Sequence, residues 1–294
     1  DSAGTSWLDV GARRWDAELL GVCELSEDQM PTVVEGSQAA GSLRSELLSE
    51  WGISGPVVVA GGGGDNAAAA CGLGCMSAGD GFVSLGTSGV LFAASDTYAP
   101  APEKAVHSFC HALPNTWFQM GVTLAATDCL NWLAGITRTT PAELAGALPS
   151  KPTGPSPALF LPYLSGERTP HNDAAPNGVF AGLSIGADKS ELTAAVMEGV
   201  AFSLKDCLNA LRSTGTTITK LTTTGGGTKS PFWLQTLANA LGVSLNVPQK
   251  GEFGAALGAA RLAMAAHSGA TLSDIMTKPE IAQTVEPDLS LSDA

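Results

Sequence analysis

The stretch Val57-Val-Val-Ala-Gly-Gly-Gly-Gly-Asp65-Asn66 decides the fold of this chain. Its three β-branched valines predict a buried strand over residues 57–60. Four glycines then form a turn in which a ligand can approach the backbone, because no side chain stands in the way. The small residues from Ala67 to Ala70 predict a helix that ends near Gly72 and Gly74. In an α/β fold, a strand, a glycine turn and a helix in this order present polar groups at the carboxyl end of a sheet.

Asp65 and Asn66 are the first polar side chains after the glycine turn. One interpretation makes Asp65 a general base, since a lone carboxylate at such a position can accept a proton. The other makes Asp65 the cap of the helix that follows, with the glycines serving only the turn. The local sequence leaves both interpretations open.

The composition limits the classes of ligand. The chain has 294 residues, enough for one large or two ordinary domains, and 44% of them are hydrophobic. Its formal net charge of -13 argues against nucleic acid or an anionic membrane as a partner, because both require basic patches. A phosphate compound would have to be held by backbone N–H groups, helix N-termini and a divalent cation.

The cysteines and the hydropathy pattern predict a soluble cytoplasmic protein. The 6 cysteines form no C-x-x-C pair and lie among small apolar residues, as is typical of reduced, packed thiols. We find neither a signal peptide nor an uninterrupted apolar run long enough to span a bilayer.

The order of elements predicts a sheet of hairpins followed by alternating strands and helices. After Gly81 we expect hairpin strands at 82–85, 90–93, 106–112 and 117–121. Beyond them we expect strands at 158–161, 218–223 and 244–247 and helices at 124–134, 190–211, 230–241 and 254–266. The tail from about residue 271 is polar and is predicted to be irregular. We place a domain boundary near residues 76–82, which would put Asp65 beside an interdomain cleft, where ligands commonly bind.

The tip of the first hairpin, Gly86-Thr87-Ser88-Gly89, is a candidate phosphate site. Its glycines let the backbone approach an anion, and its two hydroxyl groups can donate to phosphoryl oxygens. A plain hairpin turn also uses these residues, and taken alone the motif favours that interpretation. It is not a nucleophile elbow, because the pattern G-x-S-x-G would need glycine where Val90 stands.

A second glycine turn, Gly225-Gly226-Gly227 with Ser230 shortly after it, lies between a strand and a helix. Such a turn suits a nucleotide placed against the helix N-terminus, and it suits an ordinary tight turn equally well. It is not a Walker A loop, because the chain contains no Gly-Lys pair. Neither glycine turn matches G-x-G-x-x-G, which disfavours a dinucleotide site.

Two further polar segments carry weaker signals. In a strand, His107 and His111 would lie about 13 Å apart. That separation is too large for one ion, so we expect a half-buried strand and no metal site. Glu167 and Arg168, in a polar loop, are interpreted as an ion pair rather than a catalytic dyad.

The order of these motifs is more specific than any one of them. Together they closely resemble the FGGY carbohydrate kinases over nearly the whole chain. The resemblance is carried by Gly61-Gly-Gly-Gly-Asp65-Asn66-Ala67, Ser84-Leu-Gly86-Thr87-Ser88-Gly89-Val90, His107-Ser-Phe-Cys-His-Ala-Leu-Pro114, Leu161-Pro-Tyr-Leu-Ser-Gly-Glu-Arg-Thr-Pro-His171, Gly225-Gly-Gly and Gly254-Ala-Ala-Leu-Gly-Ala-Ala-Arg261. Val196-Met-Glu-Gly-Val-Ala201 fits the same family.

The resemblance implies an α/β, actin-like ATPase (ribonuclease H-like) fold of two domains with a cleft between them. It implies transfer of the γ-phosphoryl group of ATP, with Mg2+, to the 5-hydroxyl of D-xylulose. Asp65 then matches the catalytic aspartate and Asn66 falls beside the sugar. The nucleotide positions are Gly86, Thr87, Ser88, Thr127, Gly225, Gly226, Gly227 and Ser230. A homodimer is left open.

One departure from the family is large. Its members have a further N-terminal region with the first phosphate-binding hairpin and most sugar contacts, and the segment beginning at Asp1 does not match that hairpin. We therefore expect an incomplete first domain over 1–78, a nucleotide-binding domain over 79–270 and a tail over 271–294. Alone, such a chain would bind nucleotide weakly at most and would not turn over. The alternatives are a non-catalytic nucleotide-binding module and a kinase for a related sugar such as ribulose or glycerol.

Overall fold

The computed structural model describes residues 2–250 and 254–291. Before residue 80 its regular elements are β1 (Leu8–Asp9), β2 (Arg14–Trp15), α1 (Ala17–Val22), β3 (Ala39–Ser42), α2 (Ser45–Glu50), β4 (Val58–Ala60) and α3 (Asp65–Leu73). The hairpin region contains β5 (Gly81–Leu85), β6 (Gly89–Ser95), β7 (His107–Cys110) and β8 (Trp117–Thr123). The rest contains α4 (Thr127–Thr137), α5 (Pro141–Gly146), β9 (Leu159–Leu161), β10 (Val179–Ala181), α6 (Lys189–Arg212), β11 (Lys220–Thr224), α7 (Pro231–Leu241), β12 (Ser244–Pro248), α8 (Gly254–Ser268), α9 (Leu272–Ile275) and β13 (Ile281–Val285).

A seven-stranded mixed sheet organises the molecule, in the order β13-β12-β11-β5-β6-β8-β7. Strand β11 runs parallel to both β5 and β12, and every other neighbouring pair is antiparallel. Hairpins thus form one side of the sheet, and strands joined through helices form the other. This confirms the predicted change from hairpins to alternating strands and helices.

The two faces of the sheet bury different helices, because successive side chains of a strand point to opposite faces. Val83 and Leu85 of β5 belong to the larger core, to which the long helix α6 contributes Leu204 and Leu208. Phe82 belongs to a second core, on the face covered by α3 and α8. The sheet therefore lies between two helical layers, and helix α3 carries Asp65 at its first position.

Helix α3 packs against α8 through small residues at very short range. A Cβ atom built on Gly258 would lie 1.7 Å from the carbonyl oxygen of Ala68, so only glycine fits there. Arg261 of α8 donates to the carbonyl oxygens of Cys71 and Gly72 at 2.9 and 2.8 Å, which satisfies the C-terminal end of α3. The position of Asp65 is thereby fixed from the C-terminal half of the chain.

The valine strand is shorter and more exposed than predicted. Strand β4 begins at Val58 rather than Val57 and pairs, within residues 2–250 and 254–291, only with β3. Val59 is 44% exposed. The expectation of a fully buried strand was wrong because a strand with a single neighbour leaves much of its surface open.

The tail is more ordered than its polar sequence suggested. Helix α9 and strand β13 lie within it, and β13 pairs antiparallel with β12 through Leu245 and Val285. Only Val285 of this strand is buried, as suits an edge strand with one open side, so apolar alternation was too weak to reveal it. The predicted tail segment 292–294 lies outside the described residues.

Candidate active site

Asp65 lines a cavity of about 420 Å³, whose other lining residues come from the N-terminal segments and from the large sheet. The glycine turn at 61–64 forms one wall, and Asn66 lies beside it. Phe118 and Met120 of β8 also line the cavity. The predicted pair Asp65 and Asn66 therefore lines one concave site, as a ligand-binding role requires.

The carboxylate of Asp65 is exposed and only partly engaged. Its Oδ1 accepts the backbone N–H and the side-chain amide of Asn66 at 2.7 and 3.0 Å. Its Oδ2 has no hydrogen-bond partner in the part of the chain that the structure describes. Gly64, not Asp65, occupies the cap position of α3, so the interpretation of Asp65 as the helix cap was wrong. One carboxylate oxygen is left free at the helix end where the dipole favours negative charge.

An ion pair that the sequence reasoning missed stands on the rim of this cavity. Arg13 donates through two nitrogens to the carboxylate of Glu35, at 3.2 and 2.6 Å. The same guanidinium donates to the carbonyl oxygen of Thr116 at 2.8 Å and lies 5.3 Å from the ring centroid of Trp117. It therefore ties the N-terminal segments to the end of the second hairpin.

His111 forms part of the cavity wall as a neutral ring. It is 3% exposed, and burial lowers its pKa to about 4. Its Nε2 lies 3.1 Å from the carbonyl oxygen of Cys75, which can only accept, so Nε2 carries the proton. The ring lies edge-on to Phe92 and Phe118. His111 follows strand β7 instead of extending it, a small correction to the predicted strand over 106–112.

The tip of the first hairpin is held by the start of helix α4. The carbonyl oxygen of Gly86 accepts the N–H and the hydroxyl of Thr127 at 2.9 and 2.8 Å. The carbonyl oxygen of Thr87 accepts the N–H of Ala126 at 2.8 Å. Among the described residues, the N–H groups of Thr87 and Ser88 donate to no partner. Two backbone donors are thus available at the tip, as an anion site requires.

The second glycine turn lies directly against this hairpin. Gly225 has a φ of 92° and its Cα approaches β5 so closely that a Cβ would lie 2.6 Å from the carbonyl oxygen of Leu85. A Cβ on Gly227 would lie 3.1 Å from the methyl group of Thr127. The turn continues as a short 3-10 helix, and Ser230 caps α7 by accepting the N–H of Trp233 at 3.3 Å.

A second cavity, of about 490 Å³, brings together several of the predicted nucleotide residues. Thr127, Gly226, Gly227 and Ser230 line it, with an apolar wall that includes Trp233. Gly225 lines another cavity, which shares Gly226 with this one. The tip residues Gly86, Thr87 and Ser88 line none of these three cavities within the described chain. The sugar-side candidates and four of the nucleotide-side candidates therefore line separate cavities.

Within the described ranges, 2–250 and 254–291, no group of three or more His, Cys, Asp and Glu side chains is placed to hold a metal ion. Nor does any helix in those ranges have the length and apolarity needed to cross a membrane.

Family models identify both parts of this arrangement. The model of the C-terminal domain of the FGGY family of carbohydrate kinases matches residues 81–267, and that of the N-terminal domain matches residues 1–72. The chain belongs to the FGGY family of carbohydrate kinases. The expected resemblance is confirmed.

Named relatives of this FGGY chain include xylulose kinases. The one from Escherichia coli K12 is 45% identical over 291 residues, which cover 98% of this chain and 60% of the relative. A crystal structure described as a "xyloylose kinase" from Brucella ovis superposes with a TM-score of 0.97 at 57% identity, covering 100% of this chain and 60% of that one. A gluconate kinase from Lactobacillus acidophilus gives 0.88 at 26% identity, with 99% and 60% covered.

These structural neighbours confirm the actin-like ATPase fold predicted for this FGGY chain. The chain spans 60% of the length of the Escherichia coli relative and of the Brucella ovis structure.

Sequence reasoning missed other polar residues of the site. Asn131 lines the second cavity one helical turn after Thr127. Its spacing on the predicted helix could have indicated it. Glu35 and Arg13 lie 22 positions apart, and nothing near either residue in the sequence indicates the other as its partner.

Proposed function

We propose that this chain carries the catalytic aspartate and the nucleotide-binding region of an ATP-dependent kinase that phosphorylates the 5-hydroxyl of D-xylulose. One observation supports this most: Asp65 faces a 420 Å³ cavity with a carboxylate oxygen unpartnered, in a chain of the FGGY family. A free carboxylate beside a concave polar site can orient a sugar hydroxyl and accept its proton.

In the proposed reaction, the sugar oxygen attacks the γ-phosphorus of ATP while Asp65 takes the hydroxyl proton. The bond between the γ-phosphorus and the bridging oxygen breaks, and ADP leaves with that electron pair. Asn66 lies beside the sugar, and the hydrogen bond from its amide to Asp65 fixes the orientation of both side chains. The protein thus supplies position and a proton acceptor, which are the main requirements of phosphoryl transfer.

The nucleotide lies, in this proposal, along the two glycine turns. Gly86, Thr87 and Ser88 meet the β- and γ-phosphates through the backbone donors of the hairpin tip. Thr127, Gly225–Gly227 and Ser230 surround the rest of the nucleotide, and the apolar side of the second cavity suits a base. Backbone donors are important here because a chain with a net charge of -13 would otherwise repel a triphosphate.

Mg2+ would arrive with the triphosphate. This ion commonly binds through substrate phosphates, waters and one or two carboxylates, so the site needs no cage of protein ligands. When bound, it neutralises the charge that develops on the transferring group.

The domain division at 1–78, 79–270 and 271–294 and the cytoplasmic location stay predictions, and a homodimer stays open. The sugar is likewise proposed. The Escherichia coli relative carries the name xylulose kinase, whereas one structural neighbour is a gluconate kinase.

Calorimetric titration with Mg-ATP and a phosphorylation assay test the proposal together. We expect the 294-residue chain alone to bind Mg-ATP weakly at most and not to phosphorylate sugar. Joined to the part of the Brucella ovis protein that it does not match, it should phosphorylate D-xylulose in preference to ribulose, glycerol and gluconate. Nucleotide binding without turnover in that fusion would favour the non-catalytic module. Robust turnover by the isolated chain would contradict the expected dependence on a further region.

A further inference from the structure

Glu167 is a buried carboxylate that the proposed reaction does not use. It lies in the loop between β9 and β10 and is 2% exposed. The predicted ion pair with Arg168 was wrong: the guanidinium of Arg168 lies 3.4 Å from Nε2 of His107, and the described residues show no salt bridge between Glu167 and Arg168. A buried charged group needs hydrogen bonds from its surroundings, and its partners indicate what it organises.

Four neutral donors converge on this carboxylate from three separate elements. Oε1 accepts the N–H of Leu124 at 2.9 Å and the N–H of Arg168 at 2.7 Å. Oε2 accepts the hydroxyl of Thr123 at 2.5 Å and that of Ser203 at 3.3 Å. The Ser203 hydroxyl also lies 2.9 Å from that of Thr123. The end of β8, helix α6 and the loop are thereby joined at one point.

Two of the donors, Thr123 and Leu124, lie at the end of β8, next to the candidate phosphate hairpin. Thr123 is the last residue of β8 and pairs with Gly89, the last residue of the hairpin tip. Ala126 lies two positions after Leu124, and its N–H, with that of Thr127, donates to the carbonyl oxygens of the tip. A carboxylate that fixes Thr123 and Leu124 therefore fixes both strands of the tip and the start of α4.

We propose that Glu167 is a positioning residue that holds the hairpin tip in the conformation that receives the triphosphate. This inference rests on the proposed function, because it assigns the tip to the phosphates. Without the carboxylate, two backbone N–H groups and the hydroxyl of Thr123 lose a buried acceptor, and leaving such groups unsatisfied is costly. Ser203 keeps the hydroxyl of Thr123 as its acceptor at 2.9 Å. The segment 123–127 is then free to shift, and the carbonyl and N–H groups of the tip shift with it.

Glu198 provides a matched control. It lies on α6, is 5% exposed, and accepts the N–H of Ser156 at 3.1 and 3.0 Å through its two carboxylate oxygens. It is thus a second buried carboxylate that accepts a backbone N–H, but it holds a loop that does not contact the hairpin tip in any described hydrogen bond.

Hydrogen exchange read by mass spectrometry on the 294-residue chain tests the proposal without a ligand. Glu167→Ala should increase exchange over 89–91, where β6 pairs with the end of β8, and over 124–128, while the rest of the sheet stays protected. Glu198→Ala should leave both segments unchanged. Glu167→Gln should restore protection, because its oxygen can accept the two N–H groups and its amide can donate to the two hydroxyls. If Glu167→Ala does not fold, Thr123→Val removes one donor with little change of shape and should raise exchange in the same two segments.

Mg-ATP affinity gives the functional readout. Glu167→Ala should weaken binding about tenfold or more, and Glu167→Gln should recover most of it. In the fusion described above, KM for ATP should rise with little change in KM for the sugar. Unchanged exchange at both segments in folded Glu167→Ala or Thr123→Val would overturn the inference. If neither the unaltered chain nor the fusion binds nucleotide, that result counts against the proposed function. The exchange pattern would still show whether Glu167 holds the hairpin tip.

Discussion

Thr127 donates two hydrogen bonds to one acceptor: its N–H and its hydroxyl both reach the carbonyl oxygen of Gly86, at 2.9 and 2.8 Å. The start of helix α4 therefore anchors the tip of the first hairpin. With the carbonyl oxygens of the tip turned toward α4, the N–H groups of Thr87 and Ser88 are left available.

Removal of the Thr127 hydroxyl should loosen this anchor. We expect Thr127→Val to cost about 1 kcal/mol of unfolding free energy, the usual value of one hydrogen bond, and to weaken Mg-ATP binding several-fold. Urea unfolding and calorimetric titration measure the two effects. Thr137→Val is the control, because that hydroxyl bonds within the same helix to Leu133 at 2.7 Å, far from the tip. Equal nucleotide affinity in the two variants would remove Thr127 from the site.

The contact between α3 and α8 should be intolerant of even one methyl group. Gly258→Ala would place a carbon 1.7 Å from the carbonyl oxygen of Ala68, so the helices must separate. Overpacking of this kind typically costs about 1–3 kcal/mol. Gly135→Ala is the control, since nothing lies within 4 Å of the added carbon, and it should stabilise the helix by about 0.5–1 kcal/mol. Thermal unfolding that ranks Gly258→Ala as the more stable variant would show that the contact is not tight.

Burial of His111 should make stability depend on pH. Burial lowers its folded-state pKa to about 4, whereas an unfolded histidine titrates near 6.5. Between these values the unfolded chain binds more protons, so stability is lost as the pH falls from about 6.5 to about 4, by roughly 3 kcal/mol in total. Urea titrations across this range should show a shallower slope for His111→Gln than for the unaltered chain. The exposed His267, changed to glutamine, serves as the control. The same slope in His111→Gln would mean that other groups cause the pH dependence.

Local features of the site could be predicted from sequence because they depend on neighbouring residues. The turn before Asp65, the hairpin tip at Gly86–Gly89 and the turn at Gly225 each carry glycines where the backbone must bend or approach closely. Their order along the chain then indicated the family, which supplied the fold.

The remaining features depend on residues far apart in the chain. Glu167 bonds to Thr123 and Ser203, which lie 44 and 36 positions away, and no local pattern indicates either partner. The edge strand β13 was missed because only Val285 of its five residues is buried, so its sequence shows no apolar alternation. The sequence around Gly258 is that of an ordinary helix, and only the structure shows its close contact with Ala68.

The role of Asp65 is tested most directly by Asp65→Asn in the chain joined to the unmatched part of the Brucella ovis protein. Asparagine keeps the size of the side chain but cannot accept the proton of the sugar hydroxyl. Asp16→Asn, the same change at the cap of α1, is the matched control and should keep turnover. For Asp65→Asn we predict a fall in kcat for D-xylulose of about 10²–10⁴-fold, with the Kd for Mg-ATP unchanged. Turnover close to that of the unaltered fusion would contradict the assignment of Asp65 as the general base.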